Sequence, residues 1–338
     1  MRFISVAAAV LLVAISAGAA STHGVERPPI TVLVYGLDGW VWRAGVDGSD
    51  RARVTRGSYP EISPDGHWVA FMRRTRTRYV WELCVAAVDG RTRRLVRRGN
   101  VASYAWLPDS ERLLIHDTSM GVLIAGRRGG AVARLARQFL PAAGAINSAT
   151  IAHDATYVVF DRRNTQRSDI FAVPVGGGTE RQLTVDGNSL AALAGPESIA
   201  FTRYVTGRAP HEELWLMEPD GTNQRRLSKA AALPALWSAD GRRLIAQSIS
   251  GTFSGGWFGR IWAVDSGTGV ARPLYRGQIE GLHPAGLSRD GRRVLAVRGC
   301  VAWGTAGKAT PGRIETVPAD GGNPRTLVRG PCHASWNA

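Results

Sequence analysis

Arginine carries most of the chemistry this sequence can offer. Of 42 basic residues only Lys229 and Lys308 are lysine, and against 27 acidic residues the chain has a formal net charge of +15. Guanidinium groups in short polar runs suit carboxylate and phosphate, which they grip through paired N–H donors. Such runs hold Arg74, Arg76 and Arg78, then Arg163 and Arg167, then Arg203 and Arg208 just ahead of His211. Trp257 and Trp303 stand in polar, glycine-rich stretches, where an indole can stack on a sugar or a peptide. Arginine pairs also recur at 93–94, 225–226, 242–243 and 292–293. A distribution of that kind serves a generally solvated surface as well as an attraction for acidic partners, and both readings stand.

Signatures of catalysis are missing. The chain has no His-Glu-x-x-His zinc pattern, no phosphate loop and no Gly-x-Ser-x-Gly nucleophile elbow. The string Gly187-Asn-Ser189-Leu-Ala191 lacks the closing glycine and reads as a turn. His67, His116 and His153 are scattered singly, and His211, His283 and His333 would have to converge from separate repeats to hold a metal. Asp47-Gly-Ser-Asp50 lacks the further oxygens a calcium turn needs. The expectation is no catalytic residue, no metal and no cofactor.

The elements that position these residues follow from a repeat. An apolar strand, a Ser-x-Asp-Gly turn and a second apolar strand return roughly every 44 residues, the period of a propeller array. The clearest copies are Ser63-Pro-Asp65-Gly66, Ser238-Ala-Asp240-Gly241 and Ser288-Arg-Asp290-Gly291, with weaker ones at Asp109-Ser110 and Asp154-Ala155. Each repeat resolves into four short strands with hairpin turns such as Asp89-Gly90 and Asp220-Gly221. The fold class predicted is all-β, a propeller with inner strands beginning near residues 58, 102, 146, 189, 233 and 283. The chain also opens with three strands that lack an inner partner, and ends on Cys332-His-Ala-Ser-Trp336, which matches the inner-strand pattern. The C-terminal strand is therefore expected to complete the N-terminal blade and close a ring of seven. Gly195-Pro196-Glu197 replaces one Asp-Gly turn, so six blades is the alternative count.

The Ser-Pro-Asp-Gly turns and the endings Arg225-Arg226-Leu227 and Gln182-Leu183-Thr184 resemble the WD40-like repeats of TolB-type propellers. That resemblance covers nearly the whole chain after its N-terminal segment and implies a scaffold shared by adaptors, peptidase propellers and some polysaccharide lyases. The chain lacks the separate N-terminal α/β domain of the adaptor TolB, which puts a Tol-Pal role in doubt. In a blade, turns one-two and three-four share one face, and loops two-three and four-to-next share the other. The first face is nearly all tight turns, and the long loops carrying the arginines above and Trp257 and Trp303 gather on the second. Loops of that kind usually carry function, so the expectation is a binding or adaptor protein that presents this face to a protein or a cell-envelope glycan, with an anionic surface as a further partner and no specific nucleic acid. The alternative is a lyase or cyclase with its site at the channel mouth.

Residues 1–20 read as a signal peptide, with Arg2, an apolar run from Phe3 to Ile15 and small residues up to Ala20. Residues 21–29 follow as a linker and 30–338 as one propeller domain, secreted or periplasmic, with no membrane span after cleavage. In that compartment an even pair of cysteines can oxidise. Cys300 ends a second strand and Cys332 begins the closing strand on the same face, so these two are the expected disulfide and Cys84 the buried odd thiol.

Overall fold

A computed structural model of the protein describes residues 31–138, 145–164, 167–252, 256–277, 279–299, 312–331 and 333–337. The predicted leader falls outside them, as do Cys300 and Cys332. The described residues form seven antiparallel sheets, each with a four-stranded path from the inside of the ring outward. The chain is a seven-bladed β-propeller. Inner strands are Ser58–Ile62, Val101–Trp106, Ala145–Ile151, Ser189–Ala194, Leu233–Trp237 and His283–Leu287 in blades two to seven. In blade one the inner strand is His333–Trp336, which pairs with Leu33–Leu37 through Leu33↔Trp336, Val34↔Ser335, Tyr35↔Ala334 and Gly36↔His333. Asn337 prolongs the join, its Oδ1 accepting from the Val32 N–H at 2.8 Å. Closure by the C-terminal strand thus holds, and the count is seven.

The core lies between blades rather than within them. Buried side chains fall into seven clusters, and each takes residues from two consecutive blades. Leu83, Val85, Leu113 and Leu123 lie between blades two and three, for example, and Leu33, Tyr35, Leu295 and Val297 between seven and one. Second and third strands are therefore apolar on both faces, as buried strands must be. Cys84, only 2% exposed, packs in the cluster between blades one and two.

Tryptophans in the inner strands stitch these interfaces with polar bonds. Trp106 Nε1 donates to Glu61 O at 3.0 Å and Trp237 Nε1 to Leu193 O at 3.2 Å, both in the preceding blade. Trp336 instead lies so close over Gly286 that a methyl there would meet its ring at 2.6 Å. A second column links inner strands in the opposite sense: Ser335 Oγ accepts from Ile62 N at 3.3 Å, and Thr150 Oγ1 from Ala194 N at 3.4 Å.

Glycine turns between third and outer strands also do more than reverse the chain. Gly48, Gly90, Gly129, Gly221 and Gly269 all have φ between 75° and 89°, and a Cβ on any of them would fall 2.2–2.9 Å from a carbonyl oxygen in, or directly after, the outer strand of the preceding blade. Glycine is required there twice, for the left-handed backbone and for the close approach of the next blade. Gly177 in blade four has φ 86° with open space around it. Gly177→Ala should therefore cost only the backbone term, about 1 kcal/mol, whereas Gly269→Ala, whose methyl would meet Leu227 O at 2.2 Å, should cost clearly more. Denaturant unfolding of the two variants checks this, and equal losses would show that turn geometry alone selects these glycines.

Candidate binding face

Polar side chains sort by face. On the tight-turn side, arginines donate across blade boundaries to backbone carbonyls: Arg51 to Leu327 O at 2.8 Å, Arg181 to Pro219 O at 2.8 Å, Arg225 to Ser266 O at 2.6 Å and Arg243 to Gly291 O at 3.0 Å. Arg243 also pairs with Asp320 at 2.7 Å. The recurring arginines are thus in part structural, a use that neither a solvated coat nor an acid-binding surface anticipates.

On the loop side the seven arginines singled out in the sequence divide. Arg203 lies inside the second strand of blade five, Ile199–Val205, rather than in a loop. Its guanidinium sits 4.1 Å from the Trp215 ring centre, pairs with Asp186 at 2.5 Å and donates to Gln224 Oε1 at 2.6 Å. His211 begins the third strand of that blade, with Nε2 3.3 Å from buried Glu213 and Nδ1 3.0 Å from Ala209 O. Arg208 and Arg163 are exposed. Arg167 is exposed too, but its guanidinium donates to Val185 O at 3.2 Å.

Arg74, Arg76 and Arg78 are all exposed, and among the described residues none of them forms an ion pair. Neighbouring Arg73 does pair, with Glu82 at 3.4 Å. Two of the three guanidiniums rest near aromatic rings, Arg74 at 5.8 Å from Trp81 and Arg78 at 4.6 Å from Tyr79, which is itself 68% exposed. Stacking of this kind orients a guanidinium while leaving its N–H edge for an anion. Blade one adds Arg53 and Arg56, both exposed, at 4.9 and 4.6 Å from the Trp40 ring. Asp38, in the turn before Trp40, is the exposed carboxylate on that rim.

A line of rings leads inward from there. Trp81 meets Tyr59 edge-on at 6.2 Å, and Tyr59 lies 4.2 Å from the His333 ring. Tyr59 has φ 54°, a left-handed conformation rare for a bulky residue, at a bulge between Ser58 and Glu61 in the inner strand. The Tyr104 hydroxyl donates to its carbonyl. These residues begin inner strands, so the group stands at the loop-side mouth of the channel. Burial and then the nearby His283 hold His333 down to about 4, and burial lowers His283 as well. Both imidazoles are neutral at physiological pH. His211, on blade five, does not join them, and among the described residues no three His, Cys, Asp or Glu side chains are placed to hold a metal ion.

Trp257 departs from its expected place in a loop. Strands Arg243–Thr252 and Gly256–Asp265 extend almost to the end of their hairpin, setting Trp257 on a strand opposite Gly251, because β-compatible Thr, Phe and Trp continue the ladder. Its side chain and all of Trp303 fall outside the described residues.

Sequence reading passed over a column of buried polar residues in the second strands. Thr202 Oγ1 donates to Ala232 O at 2.7 Å and Gln247 Nε2 to Leu282 O at 2.6 Å, each reaching the chain that enters the next blade. Asp161 accepts from Asn147 Nδ2 at 3.1 Å and from Ser148 Oγ, and burial raises its pKa. Burial holds His116, in the same column, down to about 4. A polar residue at one fixed position of an otherwise apolar strand was the available signal, visible once the repeats are aligned.

Glu61, below Tyr59 in the same strand, is 4% exposed. Burial pushes its carboxyl up to about 8 against the Trp106 N–H, which Oε1 accepts at 3.4 Å. A carboxyl whose folded pKa lies above its unfolded value, ordinarily about 4.3, keeps its proton in the fold, so stability falls as pH rises from near 4.5 to 8 and levels above that. Glu61→Gln should raise the melting temperature at pH 8–9 and lose that advantage near pH 5. A constant difference between variant and parent across the range would mean that Glu61 does not titrate in this window.

No protein-family model matches the chain, and no curated protein matches its sequence. Solved structures do resemble it. The propeller domain of the Trilobed protease from Pyrococcus furiosus, described as having an open velcro topology, aligns over 86% of this chain and 87% of its own at 17% identity, TM-score 0.59. TolB from Acinetobacter baumannii aligns over 88% and 78% at 14% identity, TM-score 0.52. An oligogalacturonate lyase from Vibrio parahaemolyticus aligns over 89% and 85% at 11% identity, TM-score 0.59. The likeness is one of fold.

Proposed function

We propose that this chain is an exported binding propeller that holds an anionic partner, a protein or a cell-envelope glycan, on the loop face of blades one and two. The observation that carries this reading is the state of Arg74, Arg76 and Arg78. Arg51, Arg181, Arg225 and Arg243 are bound to carbonyls of neighbouring blades, whereas these three are exposed, free of ion pairs among the described residues, and accompanied by Trp81 and Tyr79. Export agrees with the leader-like N-terminus of the sequence and with a fold shared with TolB.

The alternative, an enzyme with its site at the channel mouth, draws on the Tyr59–His333 pair and on the lyase of the same fold. Its weakness is the imidazole. A general base works best with a pKa near the operating pH, and His333, at about 4, accepts a proton poorly at neutrality. The same neutral ring is well suited to stacking and hydrogen bonding.

Replacing Arg74, Arg76 and Arg78 together by alanine should weaken retention on an immobilised polyuronate such as alginate and flatten the salt dependence of elution. Thermal stability should stay within about 0.5 kcal/mol of the parent, as for other exposed substitutions. Retention and salt dependence equal to the parent's would overturn the electrostatic reading. Loss of turnover in a His333→Ala variant with retention intact would favour the enzyme.

A further inference from the structure

Blade four departs from its neighbours at the rim. Its outer strand is only Arg181–Gln182, against seven residues in blade two and six in blades three and seven. Past Gln182 the Leu183 N–H still donates to Ile170 O at 2.8 Å, but the Ile170 N–H turns to a side chain, donating to Thr184 Oγ1 at 3.0 Å. Where a longer outer strand would lie, a cleft of about 360 Å³ opens on the loop side. That volume lies in the roughly 300–1,000 Å³ range of small-molecule sites.

The cleft is built, not merely left over. Phe171 and Val185 supply its apolar lining, and Arg162 stacks on Phe171 at 4.9 Å while gripping Glu180 through two bonds of 2.8 and 3.1 Å. With the Arg162 charge matched by Glu180, Arg167 is the cation that lines the cleft without an ion pair among the described residues. It is also held in position. Its N–H donates to Asn164 Oδ1 at 2.8 Å, its carbonyl accepts from the Asn164 N–H at 2.9 Å, and its guanidinium reaches Val185 O. The side chain lies across Gly187, where a methyl would come 2.5 Å from Arg167 Nε. Exposed arginines are ordinarily mobile, and one laid over a glycine has already lost much of the entropy that binding would cost.

Hydrogen-bonding groups surround that cation. Asp169 Oδ1 accepts from Thr184 Oγ1 and Gly187 N, both at 3.0 Å, and its other oxygen takes no bond among the described residues. Gln182 lines the cleft with its amide anchored on Thr184 O at 2.8 Å. An ordered guanidinium, a carboxylate with a spare acceptor, an amide and an aromatic floor together match one kind of small molecule.

We propose that this cleft binds a small polyhydroxylated carboxylate, a sugar acid, with the ligand's carboxylate on Arg167, its hydroxyls on Asp169 and Gln182, and its carbon face on Phe171 and Val185. The site is separate from the blade one and two surface and does not depend on it.

Titration of the mature chain with sodium glucuronate, followed by calorimetry or by shifts in amide resonances, tests the assignment, with glucose and sodium acetate as the neutral and the hydroxyl-free probes. Saturable glucuronate binding is expected, with both controls weaker by about tenfold or more, the loss of one charge-assisted contact or of the hydroxyl contacts. Arg167→Ala should weaken glucuronate by a similar factor. Gly187→Ala, which keeps the charge but displaces it, should do the same, and the Arg74, Arg76, Arg78 triple variant should bind as the parent does. Absence of saturable glucuronate binding, parental affinity in a folded Arg167→Ala protein, or acetate binding as tightly as glucuronate would each overturn the proposal.

Discussion

Everything in this molecule depends on the packing of one blade against the next. Each sheet is apolar on both faces, so no blade can bury itself, and the seven buried clusters all lie between consecutive blades. Such an array is stable when its ends meet, because an open end leaves an apolar face and an unpaired edge in water. The strand His333–Trp336 meets both needs: it pairs with Leu33–Leu37, and through Trp336 it packs against blade seven. Few residues carry this closure, so Asn337 and the Ser335 hydroxyl, bonding to Val32 and Ile62, matter more than their size suggests.

The same interface explains most of the polar residues. Blades approach so closely at the tight turns that glycine is the residue admitted, and the carbonyls exposed around those turns are reached by arginines of the neighbouring blade. Buried Thr202 and Gln247 extend the linkage toward the loop side. Part of the positive charge is thereby engaged in holding the ring together. Among the arginines without an ion pair in the described residues are those that blades one and two set beside Trp40, Tyr79 and Trp81.

Repeat number and strand order were legible because propeller blades are local: a blade's four strands follow one another within a few dozen residues, and Ser63-Pro-Asp65-Gly66 or Asp220-Gly221 mark its turns directly. The closing strand was legible for the same reason, since an unmatched inner-strand pattern at one end answered a missing one at the other. Local pattern also misled at two points. Polar, glycine-rich Ser250–Trp257 looked like a loop but pairs as a hairpin through Thr252↔Gly256, and Arg203 looked like a loop cation but sits half-buried on Trp215. In both, a partner strand or ring several residues away decided the outcome.

The sequence by itself determined the all-β propeller, the position of its inner strands, and the split between a tight-turn face and a loop face, since each is written in a motif shorter than one blade. Tertiary structure alone decided which arginines are consumed by neighbouring blades and which stay available, that Tyr59 and His333 meet across the closing seam, that Glu61 is buried deeply enough to keep its proton, and that a shortened outer strand opens a cleft beside Arg167. Those outcomes depend on contacts between blades, where residues tens or hundreds of positions apart come within a few ångströms, and no local periodicity encodes such distances.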